Sequence, residues 1–131
     1  EFYHSDAVLH PVPDTYFERT ADEALRSDVY AEIFLFECEN EAAGYGLIAK
    51  TYSQEAGGMV WWIEEVYVRE AFRSKGIGRE FFAYLDKVKG SAVTRMRLEV
   101  EEDNTRAVAL YKKLGYKPLE YAQMIKDAPL K

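Results

Sequence analysis

The chain has little cysteine and little histidine. Of its 131 residues, one is a cysteine, Cys38, and two are histidines, His4 and His10. A single cysteine cannot form an internal disulfide or build a cysteine-based zinc cluster. The histidines lie in a proline-containing leading segment, where we expect them to be incidental. The sequence therefore predicts no metal site, and its cysteine content is typical of a protein of the reducing cytoplasm.

Long apolar runs and positive charge are also scarce. We find no run of about 18 apolar residues and no basic segment followed by an apolar one, so we expect neither a transmembrane helix nor a signal peptide. Lys and Arg total 17 against 23 Asp and Glu, which gives a net charge of −6. Nucleic acids and acidic membranes attract proteins with a concentrated positive field, so we expect neither as a partner. A cationic substrate is favoured.

The length and the spacing of apolar residues predict one mixed α/β domain over residues 1–131. The predicted helices are Asp14–Arg26, a helix from Ile77 that ends at Gly90, and a short helix that Asp103 caps and Gly115 stops. The predicted strands are Tyr30–Glu37, Gly44–Tyr52, Met59–Val68 and Arg95–Val100, with a candidate closing hairpin at Tyr116–Leu119 and Tyr121–Lys126.

A glycine-bearing loop separates the strand that ends at Val68 from the helix that follows. It reads Arg73-Ser74-Lys75-Gly76-Ile77-Gly78-Arg79. Such a loop presents unpaired N–H groups and the positive end of the helix dipole, so it can hold a pyrophosphate. A Walker A pattern is absent, and Phe81 stands where a dinucleotide fingerprint needs a small residue. On the loop alone, an ordinary strand-to-helix turn stays open as the alternative.

A second motif follows about 25 residues later, with Asn104, Ala107, Tyr111 and the pair Gly115-Tyr116 in order. Together, the two motifs make residues 37–126 resemble the GNAT superfamily of N-acetyltransferases. The resemblance implies a mixed, mainly antiparallel sheet that splays into a V, with helices on both faces. It also implies acetyl-CoA as cosubstrate, no metal, and direct acetyl transfer to a primary amine in a ternary complex.

The resemblance further implies roles for individual residues. Val66 and Val68 would bind the pantetheine arm through their main chains, and Asn104 would contact it as well. Tyr111 would sit beside the thioester sulfur and protonate the departing thiolate, although periodicity alone indicates a core tyrosine. The implied cofactor-binding residues are Val66, Val68, Arg73, Ser74, Lys75, Gly76, Ile77, Gly78, Arg79, Asn104 and Tyr111.

Two adjacent carboxylates, Glu64 and Glu65, interrupt an otherwise apolar central strand. Carboxylates are costly there unless they are paired or functional, and neighbouring strand residues face opposite sides. This stretch is similar to the corresponding strand of diamine acetyltransferases, so we hypothesise that one of the two is the general base or the amine anchor. The alternative is a structural salt bridge with Arg95 or Arg97 on the neighbouring strand.

The chain departs from the family at its start, because the first strand and most of the first helix usually precede a segment like Phe2–Val8. A sheet edge left exposed in this way would favour a homodimer. We expect a small-molecule amine as the acceptor. The alternatives are acetylation of a protein N-terminus or lysine, and a non-catalytic acyl-CoA sensor domain. Trp61 and Trp62 indicate sheet packing, with one of them a candidate for lining the acceptor pocket.

Overall fold

The computed structural model describes residues 14–129, so His4, His10 and the segment Phe2–Val8 lie outside the described residues. The helices are α1 (Asp14–Arg26), α2 (Ile77–Val88) and α3 (Thr105–Lys113), with a 3-10 turn at Glu70–Phe72. The strands are β1 (Ala31–Cys38), β2 (Glu41–Ser53), β3 (Gly58–Val68) and β4 (Val93–Arg97). The chain divides into two compact units, one up to Glu99 and one from Val100 onward.

The first unit is built on a four-stranded sheet in the order β1-β2-β3-β4. β1 and β3 both pair antiparallel with β2, and β4 pairs parallel with β3. The parallel pair requires a crossover connection, and α2 lies within that connection. The sheet is therefore mixed and mainly antiparallel, as the sequence predicted.

An aromatic cluster packs α2 onto this sheet. The Phe81 ring centroid lies 4.9 Å from that of Phe36 and 5.5 Å from that of Phe34 on β1. Gly46 on β2 makes this approach possible, because a Cβ there would lie 2.4 Å from the Phe81 ring. Leu85, one turn further along α2, is fully buried. The packing fixes the position of α2, and with it the position of the loop that precedes the helix.

Strand β3 and the edge strand β4 part halfway along β3. Pairing between β3 and β4 ends at Trp62 and Arg97, whereas β3 continues to Val68 and stays paired with β2 up to that residue. Along residues 63–68 of β3, no described strand pairs with the edge that faces away from β2. This opening is the V-shaped splay that the sequence predicted.

The second unit contains α3 and differs from expectation at two points. Asn104, not Asp103, caps the helix, because the Asn104 side chain accepts a hydrogen bond from the Ala107 amide. The predicted hairpin at Tyr116–Leu119 and Tyr121–Lys126 is wrong, since residues 116–129 have no regular secondary structure. Gly115 does stop the helix, with a left-handed φ of 96°.

Across the described part of the chain, no helix combines the length and the hydropathy needed to cross a membrane. Within the same residues, no group of three or more His, Cys, Asp and Glu side chains is arranged to hold a metal ion.

Candidate active site

The loop before α2 ends in a row of available backbone donors. The first helical hydrogen bond runs from the Glu80 amide to the Gly76 carbonyl at 2.9 Å. Within residues 14–129, the amides of residues 74–79 donate to no backbone acceptor. Gly76 is the N-cap of α2 and has a left-handed φ of 80°, and a Cβ at Gly76 or Gly78 would meet no atom within 4 Å. A helix N-terminus with free amides and open space in front of it fits a pyrophosphate.

Three cations accompany these amides. Arg73 donates from Nε to the Val68 carbonyl at 2.9 Å, which ties the loop to the end of β3. The Lys75 Nζ lies 5.7 Å from the ring centroid of Phe72, and Arg79 lies in the first turn of α2. None of the three forms an ion pair with another described residue. Their positive charge can therefore act on an anion at the helix N-terminus.

Val66 and Val68 present their backbone groups to the opening between β3 and β4. The Arg69 amide bonds to the Ala43 carbonyl at 2.7 Å, so the hydrogen-bonded pairs with β2 fall at odd-numbered residues of this part of β3. The N–H and C=O groups of Val66 and Val68 then point away from β2, toward the side that β4 has left. The Val68 carbonyl accepts the Arg73 bond there.

A β-bulge separates the two candidate carboxylates. Leu47 pairs with Glu65 and Ile48 with Ile63, so Glu64 is the extra residue on β3. Bulges redirect side chains and increase local twist. Glu64 is exposed, whereas Glu65 is only 5% exposed. Of the two, Glu64 is thus the carboxylate that a ligand from solvent can reach.

Glu64 lines an open groove of about 380 Å³. The groove-lining residues are Ala49, Lys50, Thr51, Trp62, Glu64 and Glu99. Partial loss of hydration raises the pKa of Glu64 above its ordinary value, and the negative charge of Glu99 raises it further. The sequence placed Glu99 only on the polar face of its strand. Its sequence neighbours carried no signal for the groove, because the pairing of Trp62 with Arg97 is set by the fold.

The two arginines of β4 are engaged elsewhere. Arg95 pairs with Glu55 at 3.5 Å. The Arg97 guanidinium carbon lies 3.9 Å from the ring centroid of Trp62, a cation–π contact that holds the indole at the groove. No ion pair among the described residues involves Glu64. The observed contacts thus do not include the salt bridge that was the structural alternative for Glu64.

In the second unit, α3 carries Asn104 and Tyr111. The Asn104 Oδ1 accepts from the Ala107 amide at 3.2 Å, which satisfies one free donor of the helix N-terminus. The Tyr111 ring lies 6.0 Å from that of Tyr116. Burial raises the pKa of the Tyr111 hydroxyl above its ordinary value. The hydroxyl therefore stays protonated at neutral pH, as a proton donor must.

Asn104 variants separate capping from cofactor contact. Asn104→Ala removes the cap and should lower the free energy of unfolding by about 1 kcal/mol. Asn104→Ser keeps a capping oxygen but removes the amide donors, so it should retain stability and bind coenzyme A more weakly. Urea unfolding and calorimetric titration with coenzyme A check the two effects. Unchanged coenzyme A affinity in Asn104→Ser would contradict the cofactor role implied by the resemblance.

These features agree with the comparisons to known proteins. The model of the acetyltransferase (GNAT) family matches residues 2–116. The chain therefore belongs to this family and is an acetyl-CoA-dependent N-acetyltransferase. The resemblance found in the sequence and the predicted fold class are both confirmed.

This chain is similar to some known proteins in sequence and to others in fold. Thialysine N-epsilon-acetyltransferase of Bos taurus is 30% identical over a 119-residue alignment that covers 80% of this chain and 69% of that protein. A possible acetyltransferase from Clostridium difficile 630 superposes with a TM-score of 0.78 at 21% identity, covering 92% of this chain and 80% of that one. The aminoglycoside N-acetyltransferase AAC(6')-Iy, solved with the bisubstrate analogue CoA-S-monomethyl-acetylneamine, gives a TM-score of 0.72 at 18% identity, covering 89% and 82%.

Proposed function

We propose that this enzyme transfers the acetyl group of acetyl-CoA to a primary amine of a small cationic molecule. The observation that carries the proposal is the groove at the bulge of β3, where Glu64 and Glu99 lie beside Trp62. Carboxylates attract an ammonium group and bind it through charge-assisted hydrogen bonds. The net charge of −6 favours a cationic acceptor as well.

Two relatives support a small amine as the acceptor. The Bos taurus relative is named thialysine N-epsilon-acetyltransferase, and AAC(6')-Iy was solved with the analogue CoA-S-monomethyl-acetylneamine. Both names describe amines borne on small molecules. A groove of about 380 Å³ is of the size that holds such a ligand.

The loop and the open strand edge fit coenzyme A. We assign the amides of residues 74–79, with the charges of Arg73, Lys75 and Arg79, to the pyrophosphate. The outward backbone groups of Val66 and Val68 are assigned to the pantetheine arm, which can add hydrogen bonds as a further strand would. Asn104 is assigned to the same arm through the family resemblance alone.

We assign the proton transfers to Glu64, from its place in the groove, and to Tyr111, through the family resemblance alone. The bound thioester supplies an activated acetyl carbon. An alkyl amine titrates near ~10.4 and is mainly ammonium at neutral pH, so Glu64 accepts its proton before attack. A backbone N–H on the open edge of β3 stabilises the charge that develops on the carbonyl oxygen. The Tyr111 hydroxyl gives its proton to the departing sulfur and regains one from the new amide nitrogen.

Tyr111→Phe should lower kcat by about 100-fold, the scale of a lost general acid. The acceptor KM and the affinity for coenzyme A should stay within about twofold of wild type, because the ring and its packing remain. Because burial raises the pKa of Tyr111, its ionisation should not limit the wild-type rate below about pH 10. Steady-state rates from pH 6 to 10 test this. A kcat near the wild-type value in Tyr111→Phe would remove the hydroxyl from the reaction.

A thiol-release assay with acetyl-CoA tests the proposed function directly. The acceptor panel contains thialysine, lysine, linear diamines, an aminoglycoside, and peptides with a free N-terminus or a free lysine. We expect release with small cationic amines and little release with peptides. Faster turnover of peptides would point to a protein acetyltransferase, and tight coenzyme A binding without any turnover would point to an acyl-CoA sensor.

A homodimer, a single domain and a cytoplasmic location stay predictions.

A further inference from the structure

The groove contains two carboxylates and no protein cation that pairs with them. Lys50 also lines the groove, but its Nζ lies 2.7 Å from the Glu32 carboxylate, and its side chain is only 12% exposed. Within residues 14–129, neither Glu64 nor Glu99 forms an ion pair or a side-chain hydrogen bond. Like charges in one site disfavour each other and increase the affinity of the site for positive charge.

The groove brings the two carboxylates to one place, because both Glu64 and Glu99 line it. Trp62 and Arg97 form the last pair of the parallel ladder, and Glu64 and Glu99 each follow two residues later. The carboxylates therefore flank the point where β3 and β4 part, beside the indole of Trp62.

We propose that Glu99 is a specificity-determining residue that binds a second cationic group of the acceptor, so that the enzyme prefers acceptors with two positive charges. This inference rests on the function proposed above, with Glu64 as the base. When Glu64 takes a proton from the reacting ammonium, both groups become neutral. Glu99 then holds the remaining negative charge, and the second cationic group of the acceptor pairs with it during attack. A monoamine leaves Glu99 without a partner at that step.

A pair of acceptors with the same carbon number tests the inference. In wild type, kcat/KM for 1,4-diaminobutane should exceed that for n-butylamine. Glu99→Gln should lower the ratio of these two values about tenfold or more, the effect of losing one charge-assisted hydrogen bond. The decrease in kcat/KM should be much larger for 1,4-diaminobutane than for n-butylamine. The control, Glu37→Gln, makes the same change in charge at an exposed residue of β1 outside the groove and should keep the wild-type ratio.

The outcomes separate the inference from the function on which it rests. An unchanged ratio in Glu99→Gln, with both acceptors still turned over, overturns the role of Glu99 and leaves the acetyltransferase proposal standing. An equal loss for both acceptors also overturns it, because Glu99 would then act on the reaction and not on the second charge. Failure of wild type to acetylate any amine in the panel overturns the proposed function itself. Melting temperatures of both variants verify that the fold is intact.

Discussion

Replacing Glu64 with glutamine should lower kcat/KM for the amine acceptor by about 100-fold at neutral pH, the lower end of what a positioned general base contributes. Glutamine keeps the size and polarity of the side chain at the bulge but cannot accept the ammonium proton. Because Glu64 is exposed, its replacement should leave the melting temperature almost unchanged. Initial rates at low acceptor concentration measure the effect.

The pH dependence of the rate tests whether Glu64 is the group that accepts the proton. The base must be ionised, so wild-type activity should fall as the pH drops through the pKa of Glu64. Both the lost hydration and Glu99 raise that pKa, so this acid limb should lie above the ordinary range of a carboxyl group. In Glu64→Gln the limb should disappear, and the deficit should shrink near pH 10, where the free amine is abundant.

Glu65→Gln is the informative comparison for this prediction. Glu65 is 5% exposed, so its substitution should act through stability and leave the acid limb in place. A near-normal rate for Glu64→Gln at low acceptor concentration would exclude Glu64 as the base. Loss of the acid limb in Glu65→Gln instead would transfer the role to the buried neighbour.

Replacing Gly76 with aspartate should abolish measurable binding of coenzyme A, with an increase in Kd of more than about 100-fold. A Cβ at Gly76 meets no protein atom, so the new side chain can enter the space in front of the α2 amides. Its negative charge would compete with the pyrophosphate for the helix N-terminus and for the nearby cations. Calorimetric titration with coenzyme A gives the comparison.

Two controls isolate the charge from the backbone. In Gly76→Asn, the new side chain must adopt the same left-handed conformation and has nearly the size of aspartate, but it carries no charge. This variant should therefore bind coenzyme A better than Gly76→Asp. Gly57→Asp introduces the charge at another left-handed glycine, with φ of 72° and open space around it, in the turn between β2 and β3. It should bind as wild type does. Tight binding by Gly76→Asp would count decisively against the phosphate role of this loop.

The sequence predicted best those elements whose pattern is local. Helix α1 spans Asp14–Arg26 as predicted, and the central strand spans Gly58–Val68 where Met59–Val68 was expected. Helical periodicity and capping act within a few residues, so they can be read from one segment alone. The free amides before α2, to which we assign the pyrophosphate, likewise depend on the start of a single helix.

Elements that depend on a distant partner were predicted less well. Apolar alternation continues to Val100, but β4 ends at Arg97, where its pairing with β3 stops at Trp62. Alternation alone likewise suggested strands after residue 116, where no pairing is formed. Glu99 was missed for a related reason, since the fold and not its own sequence neighbourhood brings it into the groove beside Glu64.

The one extra residue of β3 within its ladder with β2 has a consequence for how such a site can arise or be lost. The extra residue of β3 bends the strand next to the place where it leaves β4. Deleting that residue, unlike replacing it, would leave the pairing with β2 intact on both sides while straightening the strand. If β3 then paired with the residues after β4, the backbone edge to which we assign the cofactor would be covered. The proposed cofactor site therefore depends on one extra residue of β3.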